Sequence, residues 1–173
     1  QLTKMIGKPI LWNNENQMTG DIMHLIGNNK TQKLDSLKVL NNAFIIQKDS
    51  LSKNGYNQIK GQNLYGKFVD SKLKEVDVVK NAEVIYYMYN DANEFIGINK
   101  TVCSRINLEL EENKIDAITF FTKTDSHIYP EADFPENARK LRGFLWRGDE
   151  RILSKDDIFP AEEIALDDKI QIE

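Results

Sequence analysis

Apolar and polar residues alternate with a period of two along most of the chain, the signature of strands with one buried face. In KLDSLKVLNNAFII, Leu37 and Val39 flank Lys38; in KLKEVDVVKNAEVI, Val76 and Val78 flank Asp77; in KIDAITFFTK, Ile118 and Phe120 flank Thr119. The first two stretches are copies of one another. Lys72 stands 39 positions after Lys33, as Asn81 does after Asn42 and Ala82 after Ala43, and a looser third copy starts at Lys114. Upstream of the copies stand QMTGDI from Gln17, QIKGQNL from Gln58, and the alternation Ile106, Leu108, Leu110. Each unit therefore holds two or more strands joined by a turn, and the chain is a β array.

Turns separate the alternating stretches. Val69-Asp70-Ser71-Lys72 and Glu111-Glu112-Asn113-Lys114 place short polar residues between two apolar alternations, as hairpins require. Gly27-Asn28-Asn29, Asn54-Gly55 and the Asn-Asn-Glu-Asn run after Ile10-Leu11-Trp12 are further turn signals. The Asn-Ala pair closing each of the first two copies predicts a bend or bulge with a small residue packed inside it. Taken face by face, the strands offer a continuous apolar interior. It comprises Leu37, Val39, Ala43 and Ile45; Leu64, Phe68, Val76, Val78, Ala82 and Val84; and Ile106, Leu108, Leu110, Ile118 and Phe120. Tyr86, Tyr87 and Tyr89 read first as strand packing.

The periodicity changes after Phe134. Pro135, the stretch Glu136 to Leu141 and Gly143 predict a short helix with Pro at its start and Gly past its end. In the RGFLWRGDER that follows, Phe144 and Trp146 interleave with Arg142, Arg147 and Arg151, a set that either anchors an anionic ligand or folds back over an open sheet end. The acidic tail, with Ser154 as a helix cap, is expected to leave the array.

Composition narrows the functional classes. A chain of 173 residues, 40% hydrophobic, buries one substantial core. A net charge of −4 argues against a duplex nucleic-acid partner. No stretch approaches the roughly 20 apolar residues of a membrane span. The chain begins at Gln1, as a processed or trimmed chain does, so a missing leader leaves export open. Cys103 stands alone and reads as a small strand residue. Nothing marks an enzyme: the histidines His24 and His127 lie far apart, and no Gly-rich phosphate loop, nucleophile elbow or metal signature is present. Asp125, His127, Glu131 and Asp133 are the right types for a metal, but their spacing matches no closed zinc or calcium loop, and a solvated turn ending at Pro130 is the better reading. Glu109 and Glu111 share the outer face of one strand. Three units of about 40 residues are too few for a propeller.

The units ending KLKEVDVVKNAEV, the opening PILWNNENQMTGD and the closing FPENARKLRGFLWRGDER resemble the OstA-like proteins of Bacteroidota, relatives of the LptA type of lipopolysaccharide-transport protein. The resemblance implies an antiparallel β jelly roll, an open twisted clamp, over residues 1–134, followed by a helical or irregular extension over 135–173. It implies a periplasmic location and passive binding of lipopolysaccharide without catalysis, metal or cofactor. It also implies edge-to-edge assembly, with further copies or with related jelly-roll components, into a bridge between the two membranes. Under it, Leu37, Val39, Ile45, Leu64, Phe68, Val76, Val78, Val84, Ile106, Leu108, Ile118 and Phe120 become acyl-chain contacts, and Arg142 and Arg147 candidates for meeting phosphates at the rim. The competing expectation is a cell-envelope assembly module with a closed core and no lipid.

Overall fold

The structure, a computed structural model, describes residues 1–112, 114–154 and 157. Ten strands form one antiparallel sheet: β1 (Leu2–Ile6), β2 (Ile10–Asn13), β3 (Asn16–Thr19), β4 (Ile22–Gly27), β5 (Leu34–Lys48), β6 (Tyr56–Val69), β7 (Lys72–Tyr89), β8 (Phe95–Glu111), β9 (Lys114–Phe121) and β10 (Asp125–Tyr129). They behave as seven long strands, each bent once. β5 to β8 run unbroken through the bend. β4 and β3 pair with the first and second halves of β5, β1 and β2 flank them, and β10 and β9 pair with the first and second halves of β8.

The bend is encoded in pairs of left-handed residues. Gly7-Lys8, Asn41-Asn42, Lys80-Asn81 and Thr122-Lys123 all have positive φ, and they fall on every second long strand. Each neighbouring strand has one residue fewer at that place. Leu40 pairs with Asn63 and Ala43 with Gly61, so Asn41-Asn42 faces Gln62 alone. Val79 pairs with Arg105 and Ala82 with Cys103, so Lys80-Asn81 faces Ser104 alone. Two residues against one is a β-bulge, which bends the strand and adds local twist. Asn tolerates the left-handed region better than most side chains, which explains its recurrence here. Close packing at the bend also selects glycine: a Cβ on Gly20 or Gly61 would stand 2.3 or 2.5 Å from Cγ1 of Val39 or Val78.

Because the bulges line up across the sheet, it folds along one line into two layers, an open antiparallel β jelly roll. The first layer holds β1, β4, the first halves of β5 and β7, the second halves of β6 and β8, and β9; the second layer holds the remainder. Leu37 and Val39 before the line pack in the same cluster as Ala43 and Ile45 after it, so the larger core lies between the layers. A smaller core, built on Phe44, Ile46, Ile85, Tyr87 and Ile98, lies on the outer face of the second layer. Phe134 and Leu141 cover it from the segment that follows β10.

Two local expectations change. Asp125 to Tyr129, expected as a solvated turn, is the edge strand β10, its backbone paired with Ile98 to Val102. The helix expected over Glu136 to Leu141 shortens to one 3-10 turn, Glu136–Ala138, still bracketed by Pro135 and the left-handed Gly143. Asn54-Gly55 falls, as its turn signal predicts, in the loop between β5 and β6, although neither residue is left-handed. The hairpin at Asp70-Ser71 forms as expected, both residues with positive φ. Asn113, and all of the acidic tail beyond Ser154 except Asp157, lie outside the described residues.

The bulges give a direct stability test. Asn81→Gly keeps the left-handed conformation and stays within about 0.5 kcal/mol of the parent, whereas Asn81→Val loses about 1–2 kcal/mol, because a β-branched residue resists positive φ. Equilibrium urea unfolding of the two variants checks this.

Candidate functional site

The twelve positions expected to contact acyl chains meet in one cluster. Leu37, Val39, Ile45, Leu64, Val76, Val78, Val84, Ile106 and Leu108 are buried, and Phe68, Ile118 and Phe120 pack against them partly exposed. Met18, Met23, Ala43, Ile59, Leu73, Ala82, Cys103 and Leu110 complete its buried part. Met18 and Ile59 were legible from the repeat, since each follows the matching glutamine, Gln17 or Gln58. Seven strands about 4.8 Å apart make this interior about 29 Å long across the strands. The nine buried side chains are between 0% and 6% exposed, so a guest molecule reaches them only when the two layers part.

The segment after β10 crosses the outside of the second layer from one edge to the other, and repeat-related residues hold it. Gln58 donates from Nε2 to the carbonyl of Arg139 at 2.7 Å and accepts the N–H of Leu141 at 2.8 Å. Gln17 does the same one repeat earlier, donating to the carbonyl of Leu145 and accepting the N–H of Arg147. Both side chains are fully buried. At the third matching position Lys100 stands 6.0 Å from the centre of the Phe134 ring. Trp146 ends the crossing edge-on to Trp12, ring centres 5.3 Å apart.

Arg142 and Arg147 do not join the apolar cluster. They line a cleft of about 1110 Å³ on the outer side of the fold line, between this crossing segment and the bulges, together with Lys8, Lys60, Asp21 and Glu83. Lys60 is paired with Glu83 at 2.8 Å. The Arg147 guanidinium is paired with Glu150 and also donates to the carbonyl of Lys8 at 3.1 Å. The bond to Arg147 holds the Glu150 carboxyl below the usual carboxylate range.

Among the described residues the titratable groups form no catalytic constellation. His24 lies between Lys4 and Lys38 on neighbouring strands, with no carboxylate directly opposite. His127 bonds Asp125 at 2.8 Å on an exposed edge. Among the described residues no three His, Cys, Asp or Glu side chains converge as metal ligands. Burial pushes the Cys103 thiol up, away from the reactive thiolate. Burial, and then the Asp49 carboxylate that accepts from its hydroxyl at 2.5 Å, push the Tyr89 phenol up, which makes this pair a structural tie between β7 and the loop after β5. No described helix is long and apolar enough to cross a membrane.

No protein-family model matches the sequence, and no curated protein matches it either. Among solved structures the chain is similar to LptH of Pseudomonas aeruginosa, the LptA-homologous periplasmic component of the lipopolysaccharide transport device. The two share 14% identity with a TM-score of 0.51, over 75% of this chain and 85% of that one. The likeness is one of fold: an LptA-like β jelly roll of repeated hairpins.

Breaking one glutamine clamp reports on the crossing segment. Gln58→Leu removes both hydrogen bonds and leaves a buried carbonyl and N–H unpaired, costing about 1–3 kcal/mol. Amide exchange at Leu141 then speeds up about tenfold or more while the Val78 and Ile106 amides stay protected, as hydrogen-exchange mass spectrometry would show.

Proposed function

We propose that this protein is a periplasmic carrier of lipopolysaccharide that shields acyl chains between the two layers of its jelly roll and passes them on by binding alone, without catalysis. The observation that carries the reading is the single apolar cluster shared by both layers, in a fold similar to that of LptH. Each buried methylene is worth about 0.8 kcal/mol, so an acyl chain gains several kcal/mol by exchanging water for this interior. The exchange must also offset the parting of the layers, which suits a carrier that has to release its cargo as well as hold it. Arg142 and Arg147 line the cleft outside the fold line, away from the tails, and would meet phosphates only of a molecule lying in that cleft.

Bridging follows from the edges. β1 and β9 end the first layer, and β2 and β10 end the second. Leu2, Ile6 and Ile128 on these strands are more than half exposed. Such edges pair with another copy or with a related jelly roll by strand addition. A second reading, an envelope assembly module that uses only these edges, is favoured by the burial of nine of the twelve interior side chains.

Photo-crosslinking separates the two. With a photoreactive residue at Val78, Phe120 or the outward-facing Asp77, the carrier reading expects lipopolysaccharide adducts at Val78 and Phe120 and none at Asp77. Folded protein giving no adduct at either interior position supports the assembly module instead.

A further inference from the structure

The inner face of the second layer changes chemistry abruptly two rows from the fold line. Leu11, Met18, Ile45, Ile59 and Val84 form one apolar row across neighbouring strands. The next inward-facing row, two residues further along each strand, holds five amides and one tyrosine: Asn13 opposite Asn16, Asn16 opposite Gln47, Gln47 opposite Asn57, then Tyr86 opposite Asn99. No charged residue interrupts it.

Some of these amides have structural partners. Asn57 accepts the N–H of Tyr87 at 2.9 Å and donates to Gln47 at 3.4 Å, and Asn99 donates to Ser126 at 3.0 Å. The end at the β2–β3 hairpin is different. Asn13 Nδ2 is shut away from solvent without a hydrogen-bond partner, and Asn16 opposite it is only 5% exposed. Buried amides left unpaired are costly, and a site that keeps them is one in which another group completes them.

We infer that this row is the headgroup-reading edge of the acyl-chain site, where amides bind the hydroxyl and amide groups of a saccharide while the tails lie toward the fold line. The inference rests on the carrier reading above and deepens it. A primary amide both donates and accepts, so a row of uncharged amides matches a surface of hydroxyls and secondary amides rather than a phosphate, which calls for cations. From Ala43 at the fold line to Gln47 is four residues, about 13 Å of strand, and that depth sets how far a tail penetrates before its headgroup meets polar side chains. A diacyl phospholipid offers the same tails but no hydroxyl-rich, amide-bearing headgroup, so the row acts as a specificity element.

The test displaces a fluorescent fatty acid from the interior with either of two amphiphiles of matched tail length, lipid A or dimyristoyl phosphatidylglycerol. The parent protein is expected to release the probe at about tenfold lower lipid A than phospholipid. In N13L/N16L the preference falls below about threefold, with probe affinity retained; N13S/N16S, which keeps polarity but loses the amides, also loses preference and guards against a leucine-specific packing effect. A parent with no preference, or folded variants that keep it, overturns the amide assignment while leaving the carrier reading standing. Failure of every acyl probe to enter the folded parent overturns both.

Discussion

Everything in this fold depends on bending seven neighbouring strands at the same place. A single bulge would only distort its own strand. Aligned bulges, two residues against one on alternate strands, turn the whole sheet back on itself and bring Leu37, Val39, Ala43 and Ile45 of one continuous strand into one core. The left-handed pairs and the glycines beside them are the positions where backbone geometry, rather than packing volume, selects the residue. That is why Asn returns at 42 and 81 and Gly at 20 and 61.

The same repeat builds the outside. Successive residues face opposite ways, so Gln17 beside Met18 and Gln58 beside Ile59 put an amide outward for each apolar side chain inward. Those outward amides capture the segment after β10, which closes a second core on one layer only. The first layer's outer face keeps a polar cross-strand ladder, in which Arg105 joins Asp77 and Asn107 joins Glu75 and Asp77. The molecule thus has one reinforced layer and one plain layer around a shared apolar interior. On the carrier reading, the plain layer, without that cover, is the one suited to move.

Much of this was legible in the sequence. Alternation alone placed all fifteen interior residues on one face, and the 39-residue offset located the bulges at the Asn-Ala pairs. The second core was less visible, although its trace is there: Ala43-Phe44-Ile45-Ile46 and Val84-Ile85 break the alternation because both faces of that layer are covered. β10 escaped because Asp125-Ser126-His127 is polar and exposed, so only its backbone pairing with β8 makes it a strand. The helix expected after Pro135 is cut short because Gln58, 81 and 83 positions earlier in the chain, takes the backbone of Arg139 and Leu141. No local signal encodes a contact over that separation.

The central claim is that the interior between the layers opens to take an acyl chain. It is tested most directly by measuring the distance between layers with spin labels at Lys67, exposed on the first layer, and Lys48, exposed on the second, by double electron–electron resonance in a Cys103→Ala background. Adding lipopolysaccharide is predicted to lengthen and broaden the distance distribution. An unchanged distribution in protein carrying bound lipopolysaccharide would contradict it, because the buried side chains then stay closed to the lipid.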